Sequence, residues 1–324
     1  MTNAVRIFWK VYFIGLGIAA LLLIGMNYGL FGKMPSIEDI ENPSASLASQ
    51  VYAQDGNLMG KYYLEDRINV KYRDISKHIV EALVATEDER FYEHGGVDLI
   101  GTARAIISNA TGGSVQGGSS ISQQYVKNIL VMRAEEIADP DARKAAYYAA
   151  TQTSIERKLK EMKLAISIES KYTKDEILNG YLNIASFGGR VYGIETAAEY
   201  YFGVKAKDLN IPQAALLAAM LKSPNDYRPD NPDNLNRAKG RRDYVIDNMR
   251  SEGYITGEEA DKAKATPIIV NIKQTPAGCE ANQVTSFYCD YAVWEIRNSV
   301  EFGPTLEDRE MLLRRGGLEI YTSM

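Results

Sequence analysis

Val11 to Phe31 is an apolar run, VYFIGLGIAALLLIGMNYGLF, with no charge in 21 positions. As a helix rising about 1.5 Å per residue it spans roughly 31 Å, the thickness of a bilayer's hydrocarbon core. Arg6 and Lys10 precede it; Glu38, Asp39 and Glu41 follow. The positive-inside rule therefore predicts a cytoplasmic tail over 1–10, a transmembrane helix over 11–31, and everything beyond about residue 32 on the outer side. The run is long for a signal-peptide core and no A-x-A triplet closes it, so an uncleaved anchor is expected.

Residues 32–75 read as a juxtamembrane linker with Pro35 and Pro43, then SQVYAQDGNLMGKYYLE. Asp55-Gly56 between two partly alternating runs predicts a β hairpin, and Leu64–Tyr72 a further strand. From about Ser76 the period becomes helical, with Ile75, Ile79, Leu83 and Val84 on one face. Helices are predicted over Asp98–Asn109 (stripe Ile100, Ala103, Ile107) and Ile121–Val131. Another is predicted over Ser154–Glu169, with Ile155, Leu159, Met162 and Ala165–Ile166 sharing a face. Lys174–Ile184, Tyr192–Phe202, Pro212–Leu221 and Arg237–Ser251 follow, with Pro212 suited to a first helical position and Gly253 near a stop. The glycine-rich segment 111–120 reads as a mobile loop, and Pro140 as a break in the charged, alanine-rich stretch 133–152. Residues 76–252 are thus a mainly α domain. Residues 253–324 read as a linker module closing on a strand at Leu318, Ile320 and Tyr321, so the chain is expected to stop at a junction with a further domain.

Composition narrows the function. Apolar residues are 45% and charged residues 24%, which excludes disorder, collagen-like repeats and a disulfide scaffold. A net charge of −5 argues against a general nucleic-acid binder. With only His78 and His94 there is no histidine-rich zinc site. Cys279 and Cys289, ten positions apart on the oxidising side, predict a local disulfide, with two unpaired thiols as the alternative. No P-loop, GxGxxG, GxSxG or Ser-x-x-Lys pair occurs.

Four constellations carry candidate chemistry. In EDERFYEHGG (87–96), Glu87 and Asp88 end an apolar helix, where partial burial suits a carboxylate to acid or base work; an exposed charge pair with Arg90 is the bland alternative. His94 reads as a structural hydrogen-bonding group. In GGSSISQQYVKN (117–128), small residues permit close approach of a substrate, and Gln124, Lys127 and Asn128 share a helical face suited to sugar hydroxyls or phosphate; a merely polar face is the alternative. In ERKLKE (156–161), Arg157 and Glu161 read alone as an ordinary ion pair one turn apart. The small residues of 174–203 read as helix-packing architecture.

Together and in this order, these motifs resemble the peptidoglycan glycosyltransferases, the family-51 module of class A penicillin-binding proteins. The matching residues are Glu87-Asp88-x-x-Phe91-x-x-His94-x-Gly96, Gly117 to Gln124 with Val126-Lys127-Asn128, and Arg157-Lys158-x-x-Glu161. Ile177-Leu178-x-x-Tyr181-Leu182-Asn183, Tyr192-Gly193-Ile194, Tyr201-Phe202-Gly203, Ser223-Pro224 and Tyr227-x-Pro229 continue the match, which is dense over 45–252. Ser122 stands where Thr is usual, Tyr125 where Leu is common, Asn179 for an acidic residue and Gln213 for a Glu; 132–155 looks like an insertion that would reshape the groove.

The resemblance implies a lysozyme-like two-lobed domain that polymerises lipid II into β-1,4-linked glycan, with inversion and departure of undecaprenyl pyrophosphate. Glu87 would take the acceptor's hydroxyl proton. Lys127, Arg157 and Lys158 would stabilise the pyrophosphate, with Gln123, Gln124, Asn128, Ser119 and Ser120 as further binding residues. Glu161 would be the second catalytic carboxylate, orienting the cations or holding Mg²⁺ or Mn²⁺. Asp88, Phe91, His94 and Gly118 would support the site. The implied partners are lipid II, the growing lipid-linked strand, the bacterial cytoplasmic membrane and other wall-synthesis proteins. A helix near 97–112 would meet the outer leaflet, and the transpeptidase domain of bifunctional members would be absent. A lysozyme-like lytic enzyme and a non-catalytic membrane scaffold are the rival readings; the three cations argue against the first and the complete motifs against the second.

Overall fold

The computed structural model describes residues 48–63, 66–110, 118–135, 137, 139–272, 278–279 and 286–323. The expected anchor over 11–31 and most of the glycine-rich loop lie outside them. Ser49–Tyr52 (β1) pairs antiparallel with Leu58–Tyr62 (β2). In the turn between them Asp55 accepts the Asn57 backbone N–H at 3.0 Å, and Gly56 takes a φ of 82°, which costs glycine no Cβ clash. The strand expected over 64–72 is short: Asp66–Arg67 (β3), parallel to Val191–Tyr192 (β4). A 3-10 turn at Tyr72–Asp74 leads on to the helices.

The helical domain comprises α1 (Lys77–Glu87), α2 (Leu99–Ala110), α3 (Ile121–Glu135), α4 (Pro140–Thr151) and α5 (Ile155–Glu169). It continues with α6 (Lys174–Ile184), α7 (Ile194–Phe202), α8 (Ile211–Lys222) and α9 (Leu235–Ser251). Their starts follow from side-chain caps. Ser76 caps α1 and Ser154 caps α5, while Thr173 with Glu176, and Asn210 with Gln213, close capping boxes on α6 and α8. Gln213 therefore serves as cap where a Glu was expected. In α8, Ala214 to Met220 are all buried, and this apolar stretch sits centrally against α1 and α9.

Three sequence expectations change. Pro140 opens a helix, with Asp139 as its cap, because proline suits a first turn whose N–H groups lack partners. On α5 the buried stripe is Glu161, Leu164, Ala165 and Ile168, whereas Ile155 and Ile166 are 74% and 53% exposed. The helix is rotated because it buries a carboxylate, which an apolar period cannot reveal. On α2, Leu99 and Ile100 face outward at 72% and 69% exposure.

Beyond α9 the described residues form three α-helices that the sequence pattern did not predict. These are α10 (Gly257–Ala265), α11 (Ser286–Asn298) and α12 (Leu306–Arg315). Ala260 and Ala263 of α10 belong to the main core, which therefore runs past residue 252. A second cluster joins Val51, Ala53 and Met59 of the hairpin to Cys279, Cys289, Val293, Ile296 and Leu313. Cys279 and Cys289 are disulfide-bonded with Cα atoms 5.6 Å apart. Gly60 makes room for them, since a Cβ there would lie 2.5 Å from the Cys289 sulfur. The last strand, Glu319–Tyr321 (β5), runs parallel to β1 with Val51 opposite Ile320, giving the order β2-β1-β5. Among the described residues no helix is long and apolar enough to cross a membrane.

Candidate active site

Glu87 is the last residue of α1, and Asp88 turns the chain away as its C-cap. Asp88 is buried; one carboxylate oxygen lies 2.8 Å from His94 Nε2, and the other accepts the Ile121 N–H at 3.0 Å. The Asp88 charge thus meets the positive end of α3. Lys174 pins the following loop: its ammonium donates to the His94 carbonyl at 2.6 Å and stands 4.3 Å over the buried Phe91 ring. Gly96, at φ 80°, lies against α5, where a Cβ would meet the Ala165 carbonyl at 2.7 Å. His94 and Phe91 therefore shape the loop that follows Glu87.

Ser120 and Gln123 are turned inward. The Ser120 N–H donates to the Gln123 side chain at 2.8 Å, the Gln123 N–H to Ser120 Oγ at 3.2 Å, and the Ser120 hydroxyl to the Gly96 carbonyl. This reciprocal cap starts α3, and both side chains are buried and engaged in it. Gly118 is exposed, and its carbonyl accepts from Thr102 Oγ1 at 3.1 Å.

Two groups converge on Glu87. Gln124 Nε2 donates to Oε2 at 2.8 Å, and the Arg241 guanidinium of α9 stands 3.6 Å from Oε1. Behind Gln124, the Tyr181 hydroxyl of α6 donates to its amide oxygen at 3.1 Å. Burial, and then the charge of Glu87, push the Tyr181 phenol far above the ordinary tyrosine range. Sequence reasoning missed Arg241 altogether and gave Tyr181 no role.

The cations lie across α3 and α5. Glu161 is 1% exposed, with Arg157 on one oxygen and Lys158 on the other, the latter at 2.9 Å. Lys158 also donates to Ser119 Oγ at 2.8 Å, and Arg157 to the Gln152 carbonyl at the end of α4, so the insertion helps hold the cluster. Lys127 is half-buried, as is its neighbour Asn128. Desolvation holds the Lys127 ammonium below the usual lysine range; Glu161 opposes this, while Arg157 and Lys158 add to it. Three cations against one carboxylate leave two net positive charges, a surplus suited to a polyanion.

Gln124 and Lys127 are one turn apart on α3, about 4.5 Å along its axis. One face of α3 therefore reaches Glu87 at one point and the cations at the next. A proton acceptor and an anion-binding cluster on a common face suit attack by a hydroxyl with departure of a phosphate group. A resident divalent cation does not fit these donors. Glu161 spends both oxygens on Arg157 and Lys158, and the described residues contain no group of three or more His, Cys, Asp or Glu side chains able to hold a metal.

Known proteins resemble this sequence. The pattern of the Transglycosylase family matches residues 55–250. Penicillin-binding protein 1A of Rickettsia conorii is 32% identical over 323 residues, covering 98% of this chain and 36% of that protein. Its namesake in Streptococcus pneumoniae is 33% identical over 320 residues, covering 97% and 40%. That of Aquifex aeolicus is 37% identical over 260 residues, covering 79% and 33%. The chain thus spans about a third to two fifths of the length of these relatives. The crystal structure of penicillin-binding protein 1A from Haemophilus influenzae aligns with 78% of this chain and 25% of its own, at 22% identity and a TM-score of 0.40.

Proposed function

Because the chain belongs to the transglycosylase family, we propose that it is a peptidoglycan glycosyltransferase that polymerises lipid II into β-1,4-linked glycan strands. The observation that carries this reading is the shared face of α3, which brings Gln124 to Glu87 and Lys127 to the Arg157–Lys158–Glu161 cluster. The acceptor's 4-hydroxyl attacks the anomeric carbon of the lipid-linked donor strand. Glu87 takes the hydroxyl proton as the bond forms, and the configuration inverts. The bond to the undecaprenyl pyrophosphate breaks, and Lys127, Arg157 and Lys158 receive its negative charge. Glu161 holds Arg157 and Lys158 in place for that event. Mg²⁺ or Mn²⁺ enters this reading only as a counter-ion of the substrate, because the protein's own donors are engaged.

The same reading gives the domain a lysozyme-like two-lobed form, anchored in the bacterial cytoplasmic membrane by 11–31, with 1–10 inside and the catalytic domain outside. The outward-facing Leu99 and Ile100 of α2 are read as its contact with the outer leaflet. Both substrates are lipids, so tethering raises their effective concentration. Other wall-synthesis proteins are read as partners. The test is incubation of the full chain in detergent with labelled lipid II, with Mg²⁺ and with EDTA. A ladder of polymer that lysozyme digests supports the reading. Cleavage of preformed glycan without polymerisation, or no turnover by folded protein, overturns it.

A further inference from the structure

Among the described residues, the Glu87 carboxylate takes its one short hydrogen bond from a neutral amide, and that amide has two ways to face. Gln124 offers a donor nitrogen in one orientation and an acceptor oxygen in the other. Turned the second way, it would set an oxygen against the carboxylate and leave Arg241, 3.6 Å away, as the remaining partner. What selects the first orientation lies behind the amide. The Tyr181 hydroxyl, on a ring 2% exposed, donates to Gln124 Oε1 at 3.1 Å, and this leaves Nε2 aimed at Glu87 Oε2 at 2.8 Å. Tyr181 remains a donor because burial and the charge of Glu87 hold its proton on the phenol.

We propose that Tyr181 is a positioning residue for Glu87, acting through Gln124 by fixing the direction of its side-chain amide. The inference rests on Glu87 being the base of the proposed reaction. A hydroxyl on a third helix, α6, thereby keeps the Glu87 carboxylate of α1 facing a donor and ready to accept a proton. The groups that face Glu87 are Arg241 from α9, Gln124 from α3 and, beyond it, Tyr181 from α6; its neighbour Asp88 is committed to His94 and to the start of α3.

The experiment compares Tyr181→Phe, Gln124→Ala and the double variant in the full chain, by two readouts. The first is hydrogen exchange of the Gln124 side-chain amide, assigned by difference from Gln124→Ala. The second is kcat and KM for lipid II. Tyr181→Phe frees the amide to rotate off Glu87, so its exchange is expected to speed up about tenfold and kcat to fall about tenfold, with KM within about twofold. In the Gln124→Ala background Tyr181→Phe is expected to leave kcat unchanged, the pattern of two residues acting in series. Unchanged Gln124 amide exchange in Tyr181→Phe, or an equal effect of Tyr181→Phe on kcat in both backgrounds, overturns the inference. If the parent chain does not polymerise lipid II, the proposed function falls, and the amide exchange still decides whether Tyr181 orients Gln124.

Discussion

Glu161 has a cation on each oxygen and almost no contact with water, so its charge is fully committed before any substrate arrives. Replacing it by Gln keeps the shape but leaves Arg157 and Lys158 without a negative partner. Glu161→Gln is expected to lower stability by about 2–3 kcal/mol, read as a lower Tm, and to cut polymerisation strongly; a variant with normal Tm and rate contradicts the orienting role. Lys127 makes a second, pH-dependent statement. It binds an anion while protonated, and desolvation moves its deprotonation below the ordinary lysine range. In the proposed reading, affinity for the pyrophosphate therefore declines as pH rises, and does so earlier than an ordinary lysine would allow, while Arg157 keeps its charge. In KM measured against pH, Lys127→Arg is expected to flatten that alkaline limb. An unchanged limb would show that Lys127 does not titrate in binding.

At the scale of elements, α3 and α6 meet through an unusual exchange of volume. Tyr125 occupies a position where Leu is common in the family, and its phenol lies over Gly180, where an added Cβ would stand 2.3 Å from the hydroxyl. The Tyr125 phenol is buried, and desolvation pushes its pKa up to about 12. Gly180→Ala is expected to destabilise by about 1–3 kcal/mol through overpacking. Tyr125→Leu should relieve that cost, so the double variant melts above the sum of the singles. Strict additivity would mean that the two do not compete for space. The periodic helices α1, α3 and α8 were readable in the sequence because apolar spacing governs their burial. The face of α5 was not, because Glu161 goes inward only once Arg157 and Lys158 are in place to meet it. α10 was missed because its buried residues are alanines, although the Thr256–Glu259 cap was present in the sequence. The motifs singled out Glu87, Lys127, Arg157 and Lys158, and the structure places Gln124 on Glu87 and Lys127 beside the Arg157–Lys158–Glu161 cluster. Arg241 and Tyr181 come from helices distant along the chain, and only tertiary packing brings them to Glu87.

Across the whole molecule, the hairpin near the start of the described chain and the strand near its end share one sheet, and the disulfide sits in the cluster beneath it. This unit touches the helical domain at α3, where Arg315 donates to the Glu135 carbonyl at 3.0 Å. A disulfide closing a loop of ten positions contributes about 3 kcal/mol in the chain-entropy account. Reduction, or Cys279→Ser with Cys289→Ser, is expected to speed amide hydrogen exchange in β1, β2, α11 and β5. Protection in α1, α3 and α5 should persist, because they belong to the separate main core. Equal loosening of both regions would show that the two clusters unfold as one.

The central claim is that Glu87 takes a proton beside a cation cluster that receives pyrophosphate. It is tested most directly by giving labelled lipid II to the full chain and to Glu87→Gln under identical conditions, with the Tm of each recorded. The account expects polymer from the parent chain and none from a variant that folds with an unchanged Tm. Near-normal polymer from Glu87→Gln would contradict it.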